Sequence, residues 1–174
     1  MRSFVAAGAF VTFGDISTSL GEALVSELGD TNVSFLRYDT RSWTEQAALF
    51  KQAFSQRGSV DIVFANAGIS GSDPVFSSPE DSAEVGEPQE PDLSILTTNL
   101  VGFMYTTRLA LHYFARQPAG QDKCLIMTSS IAGYADHNGA IQYSAAKFGV
   151  RGMMRSLRQM MPRQGARVNV IAPW

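Results

Sequence analysis

The sequence predicts an α/β fold, a doubly wound parallel sheet with helices on its faces. Three observations predict it. Short apolar runs alternate along the chain with stretches of helical periodicity. Several of those runs end in small or polar residues that break a strand, as at Gly14-Asp15, Asp39 and Asn66-Ala67-Gly68. The 174 residues, 45% hydrophobic and 17% charged, suffice for one domain with a real core. Alternating strands and helices indicate a parallel sheet, and ligands of such sheets bind beyond the carboxyl ends of the strands.

Taken in order, Phe10-Val11-Thr12-Phe13 reads as the first strand, ending at Gly14-Asp15. Ser17 or Thr18 caps the helix that follows, which runs to Leu28. Val33 to Leu36 is a second strand, ending near Asp39. A helix starts at Ser42, with Trp43, Ala47, Phe50 and Phe54 on one face, and Gly58 stops it. Val60 to Phe64 is a third strand, broken by Asn66-Ala67-Gly68. A long helix is predicted from about Leu93 to Arg116, through Asn99. Lys123 to Thr128 is the fourth strand, Tyr143 to Met161 another long helix, and Arg167 to Ile171 the fifth strand.

Residues 70–92 differ in kind. They hold four of the seven prolines and seven of the sixteen acidic residues, with no Lys or Arg. That acidic, Pro/Ser-rich composition predicts an exposed loop inserted in the single domain 1–174. Neither an internal repeat nor a second domain is visible.

The formal net charge of −2 gives no electrostatic case for nucleic acid. No run is long enough to span a membrane. Arg2 and the apolar stretch Phe4 to Phe13 resemble a short signal peptide. They run straight into Gly14-Asp15, however, with no cleavage region. Cys124 is the only cysteine, in an apolar run, so no intramolecular disulfide and no cysteine metal cluster form. A cytoplasmic location is the expectation, and no metal-ligand set is predicted.

The chemistry concentrates in Tyr143-Ser144-Ala145-Ala146-Lys147. Residues four apart on a helix share one face. A lysine ammonium there favours the ionised phenol, and a phenol so tuned exchanges protons near neutral pH. Alone the pattern is weak, since a half-buried tyrosine beside a snorkelling lysine is common. Its neighbours strengthen it: the Asn66-Ala67-Gly68 turn, Asn99 in Thr97-Thr98-Asn99-Leu100-Val101-Gly102, Ser129-Ser130-Ile131-Ala132-Gly133, and Arg167-Val168-Asn169-Val170-Ile171-Ala172-Pro173.

With these motifs, in this order and spacing over nearly the whole chain, the sequence resembles the classical short-chain dehydrogenase/reductase family. The resemblance implies a Rossmann-type sheet and a hydride transfer between NAD(H) and a secondary alcohol or ketone. It implies that Tyr143 is the acid-base and that Lys147 assists it and holds the nicotinamide ribose. Ser130, thirteen residues before the tyrosine, would orient the substrate oxygen, and Asn99 would support a proton relay. Ser129 would pack. Asp15 would bind the adenosine ribose, favouring NAD over NADP by repelling a 2′-phosphate. Ile16 would lie against adenine and Asp39 would face its amino group. Asn66, Ala67, Gly68 and Pro173 complete the expected cofactor contacts, Gly68 by admitting close backbone approach. A homodimer or tetramer is implied for the complete form.

The sequence also departs from the family. The usual opening strand and its Gly-x-x-x-Gly-x-Gly turn are not found. Phe4 to Ala9 resembles the end of the family's first helix instead. After Pro173 stands Trp174, where glycine is usual and a further helix and strand follow. The expected sheet is therefore incomplete, a partial NAD(P)-binding domain truncated at both ends. The glycine turn normally presents backbone N–H groups to the pyrophosphate. An alternative thus stands beside the dehydrogenase: an inactive fragment that binds no dinucleotide productively and at most contacts other proteins. A serine hydrolase built on Ser130, His137 and Asp136 fits poorly, since no Gly-x-Ser-x-Gly elbow surrounds Ser130.

Overall fold

A computed structural model of the chain describes residues 1–71 and 90–174. Most of the predicted acidic loop, 70–92, lies outside the described residues. The elements are α1 (Arg2–Ala6), β1 (Val11–Asp15), α2 (Thr18–Leu28), β2 (Val33–Arg37), α3 (Trp43–Arg57) and β3 (Ile62–Ala65). Then come α4 (Ser94–Leu96), a π-helical turn (Thr97–Val101), α5 (Gly102–Phe114), β4 (Lys123–Thr128), α6 (Ile141–Met160) and β5 (Ala166–Ile171).

Local chemistry sets most boundaries. The Ser17 hydroxyl accepts from Leu20 N–H and caps α2, while Ser42 accepts from Glu45 N–H and caps α3. Gly58 ends α3 in the left-handed conformation, at φ 72°, which glycine adopts without steric cost. The third strand begins at Ile62 rather than Val60. The reason is a side chain: Val60 N–H donates to Gln117 Oε1 at 3.3 Å, and Gln117 Nε2 donates to Val60 O at 2.8 Å. The predicted helix from Leu93 to Arg116 is found, but a π turn carrying Asn99 interrupts it. Such turns are rare and recur at functional sites.

All strand pairs are parallel, in two groups. β1 pairs with β2, and β3–β4–β5 form a second sheet in that order. Among the described residues no strand lies between β1 and β3, so the incomplete sheet is realised as a gap. Helix α3 packs on β1 and on α5, and α5 packs on β3 and β4, so the helical layer bridges the interruption.

The main core lies between the three-stranded sheet and these helices. Val63, Ala65, Leu125 and Met127 point into it and meet Phe103, Phe114, Val150, Leu157 and Met161. The opposite face is less covered: Ile62 and Phe64 of β3 remain exposed. A buried polar knot ties α3 to α5. Gln46 Nε2 donates to Thr40 O at 2.6 Å and to Gly102 O at 2.9 Å, and Gln46 Oε1 accepts from the Thr106 hydroxyl at 2.7 Å. Gly102 permits this approach, since a Cβ there would sit 3.0 Å from Thr40 O.

Candidate active site

The carboxyl ends of β3 and β4, the π turn and the first turns of α6 meet at one pocket of about 220 Å3. Asn66, Gly68, Thr128, Ser129, Ser130, Tyr143, Lys147 and Pro173 line it, with Trp174 at its margin. Parallel pairing of β3 with β4 sets Asn66 beside Thr128, whose hydroxyl donates to Asn66 Oδ1 at 2.9 Å.

Lys147 is 3% exposed, and its Nζ donates to Thr128 O at 3.0 Å. That nitrogen stands 5.3 Å from the Tyr143 ring centre and 5.4 Å from that of Phe103. No carboxylate pairs with Lys147 among the described residues. Burial therefore holds the ammonium below the ordinary lysine range. The consequence for stability has a definite sign. With the folded value depressed below the reference 10.5, the unfolded chain binds more protons between the two values. Stability should then rise with pH across that window. Urea unfolding of the wild type and Lys147→Met, followed from neutral pH up to the reference value of 10.5, should show the wild type gaining on the variant as pH rises. A constant difference would mean that Lys147 is not desolvated.

Asn99 is fully buried and reads the backbone of the turn after β3. Its Oδ1 accepts from Ile69 N–H at 2.8 Å and its Nδ2 donates to Ile69 O at 2.7 Å. The amide is thus engaged with Ile69. Gly68 fits between: a Cβ there would lie 3.0 Å from Asn99 Oδ1 and 3.8 Å from Lys147 Nζ. The Ser130 hydroxyl accepts from Ala132 N–H at 3.3 Å and opens the short turn Ile131–Gly133. Ser129 donates to Lys147 O at 3.0 Å, the packing role expected of it. Gly133 lies so close that a Cβ would come within 2.7 Å of the same carbonyl, which fixes this loop against α6.

The remaining predicted cofactor residues sit elsewhere. Asp15 ends β1, and Asp15 Oδ1 accepts from Ser17 N–H at 2.9 Å. Ile16 is 63% exposed beside it. Asp39 follows β2, and Arg41 Nε donates to its Oδ1 at 3.1 Å and to its Oδ2 at 3.0 Å, while Arg41 NH2 donates to Oδ2 at 2.6 Å. The Arg41 guanidinium holds the Asp39 carboxyl below its ordinary range. Neither aspartate lines the pocket with Tyr143, and Ala67 is not in its wall. His137 and Asp136 do not line the pocket that holds Ser130. Among the described residues no group of His, Cys, Asp or Glu could hold a metal, and no helix is long and apolar enough to cross a membrane.

Sequence reasoning missed Thr128, which holds both Lys147 and Asn66, and the backbone of Ile69. The sign of Thr128 was its position at the end of β4, directly before Ser129-Ser130. Trp174, noted as a departure, proves to border the pocket.

Comparison with known proteins identifies the family. The family model described as short chain dehydrogenase matches residues 1–174. The chain is similar to 5′-hydroxyaverantin dehydrogenase of Dothistroma septosporum, 37% identical over 187 residues, covering 99% of this chain and 61% of that protein. It is similar to the short-chain dehydrogenase/reductase prx7 of Penicillium rubens, 38% identical, covering 91% of this chain and 57% of the relative. Momilactone A synthase of Oryza sativa is 33% identical, over 99% of this chain and 59% of its own length. The chain thus spans about three fifths of these relatives. A short chain dehydrogenase structure from Mycobacterium smegmatis superposes with a TM-score of 0.83 at 25% identity, covering 99% of this chain and 68% of that one. With a match along its whole length, and with the family's motifs at the ends of parallel strands, the chain belongs to the short-chain dehydrogenase/reductase family.

Proposed function

We propose that the protein to which this chain belongs transfers a hydride between NAD(H) and a secondary alcohol or ketone, with Tyr143 as its acid-base. The observation that carries this reading is the single pocket bordered by Ser130, Tyr143 and Lys147, with the Lys147 ammonium 5.3 Å from the tyrosine ring. The residues present fit the nicotinamide end of the cofactor. Gly68 leaves room for backbone approach, and Tyr143, Lys147 and Asn66 offer polar atoms around one small hollow. When bound, the dinucleotide takes or returns the hydride. The chain's own residues manage the proton. In the oxidising direction the Tyr143 oxygen accepts the alcohol proton, the nearby ammonium stabilising charge on it, and Ser130 holds the substrate oxygen. Asn99 keeps the turn after β3 in place.

The preference for NAD rests on Asp15, whose carboxylate would accept from ribose hydroxyls and repel a 2′-phosphate. The names of two relatives, both 5′-hydroxyaverantin dehydrogenases, favour a hydroxyl-bearing substrate. A cytoplasmic enzyme and a dimer or tetramer of the complete form belong to the same reading.

One observation favours the second reading, a chain that does not bind the dinucleotide productively. Between the adenosine end at Asp15 and the nicotinamide end at Gly68 lies the gap in the sheet, and among the described residues no glycine turn offers N–H groups to the pyrophosphate. Calorimetry of the 174-residue chain with NAD separates the two. Binding is expected to be weak or undetectable in this chain alone. Micromolar binding with turnover of a secondary alcohol would overturn the second reading and show that another segment replaces the glycine turn.

A further inference from the structure

Of the five asparagines in the chain, four are held by their surroundings. Asn32 Nδ2 donates to Leu28 O at 2.8 Å, and Asn66 Oδ1 accepts from the Thr128 hydroxyl at 2.9 Å. Both ends of the Asn99 amide bond Ile69, and Asn169 Nδ2 donates to Cys124 Sγ at 3.3 Å. Each of the four is followed by a residue with a Cβ: Val33, Ala67, Leu100 and Val170.

Asn138 differs in every respect. It is followed by Gly139, and both are exposed in the turn that leads into α6. Among the described residues the Asn138 amide makes no hydrogen bond, and the Gly139 N–H has no acceptor. Gly139 holds a φ of 74°, which glycine adopts freely, and a Cβ placed on it would meet nothing within 4 Å. A carboxamide free to turn thus stands next to a main-chain nitrogen that is neither shielded by a side chain nor occupied in a bond.

We infer that Asn138 is a modification site, at which the folded chain forms isoaspartate spontaneously with solvent water as the co-reactant. The Gly139 nitrogen gives its proton to solvent and forms a bond to Asn138 Cγ. The Cγ–Nδ2 bond breaks, and ammonia leaves with a proton from solvent. The product is a cyclic imide. Water then adds to one of its two carbonyl carbons and breaks the bond from that carbon to the Gly139 nitrogen. Opening at Cγ gives aspartate. Opening at the main-chain carbonyl gives isoaspartate, with the chain now running through the side-chain carbons. One water is consumed and one ammonia released, and nothing is oxidised or reduced.

Both products place a new carboxylate beside Asp136 and His137, ahead of α6, whose cap residue Ala140 supplies no side-chain acceptor. Isoaspartate also lengthens the main chain by one methylene, five residues before Tyr143. Asn138 does not line the pocket that holds Tyr143, and the inference does not rest on the hydride transfer proposed there.

The test incubates the 174-residue chain in heavy-oxygen water at mildly alkaline pH, native and in urea. Peptide mapping by mass spectrometry locates the heavy oxygen, and an isoaspartyl methyltransferase with labelled S-adenosylmethionine counts the isoaspartate. Asn138 is expected to react with isoaspartate in excess over aspartate, at a native rate within about tenfold of the rate in urea. The other four asparagines, controls that need no variant to fold, should react at least about tenfold more slowly than Asn138 in the native chain. Asn138→Gln should abolish methyl acceptance, because the longer side chain closes its ring far more slowly. A native rate more than about tenfold below that in urea would show that the turn withholds Asn138 and would overturn the site. Aspartate without isoaspartate, equal rates at the other asparagines, or methyl acceptance retained in Asn138→Gln would each overturn it as well.

Discussion

Tyr143→Phe is expected to lower kcat by about a hundred- to ten-thousand-fold, the range that a positioned acid-base contributes. The assay is reduced nicotinamide absorbance with a secondary alcohol or ketone, in a form of the protein that carries a pyrophosphate-binding turn. The substitution removes one oxygen from a half-buried ring, so the fold should tolerate it. Lys147 would keep its bond to Thr128 O and its place beside Phe103. The loss should therefore appear in kcat with the melting temperature little changed, as for an interaction made only in the transition state. A variant with more than a tenth of wild-type kcat would remove Tyr143 from the proton path (criterion about one power of ten).

Gln46→Leu is expected to cost about 2–4 kcal/mol of folding stability, although Gln46 touches no part of the pocket. The side chain is 1% exposed and uses both its donor and its acceptor ends. Leucine fills a similar volume but leaves Thr40 O without its 2.6 Å bond and removes the acceptor of the Thr106 hydroxyl. A buried polar group left unpaired costs its full desolvation, about 1–3 kcal/mol each. The Thr106 hydroxyl retains Gly102 O at 3.0 Å, which places the total in the middle of the range rather than above it. Urea unfolding measures it. A loss below about 0.5 kcal/mol would mean that the knot is replaceable by water or by rearranged bonds.

These two residues show what the sequence makes legible. Tyr143 and Lys147 could be placed on one face because a step of four residues on a helix is just over one turn, whatever the surrounding fold. The strands and α3 were legible for the same kind of reason: Trp43, Ala47, Phe50 and Phe54 repeat with the helical period, and Ser42 and Gly58 bracket them. Gln46 was not legible. A glutamine among helical apolar positions reads as surface, and only the approach of α5 at Gly102 turns it inward. The π turn was illegible because apolar periodicity does not report one extra residue in a turn. An incomplete sheet was expected, and it takes the form of a gap beside β1. The helical layer maintains the separation, with α3 on β1 and α5 on β3.

That separation sets how this chain behaves in concentrated solution. Among the described residues β1 and β3 each leave one edge unpaired, and β3 carries Ile62 and Phe64 exposed beside its edge. Unpaired parallel edges are templates for any extended polypeptide of suitable character, another copy of the chain included. A net charge of −2 supplies little repulsion against such encounters. Strand recruitment between two copies would be a bimolecular event. The rate of such an event grows with protein concentration, so dilution should prolong the life of the monomer.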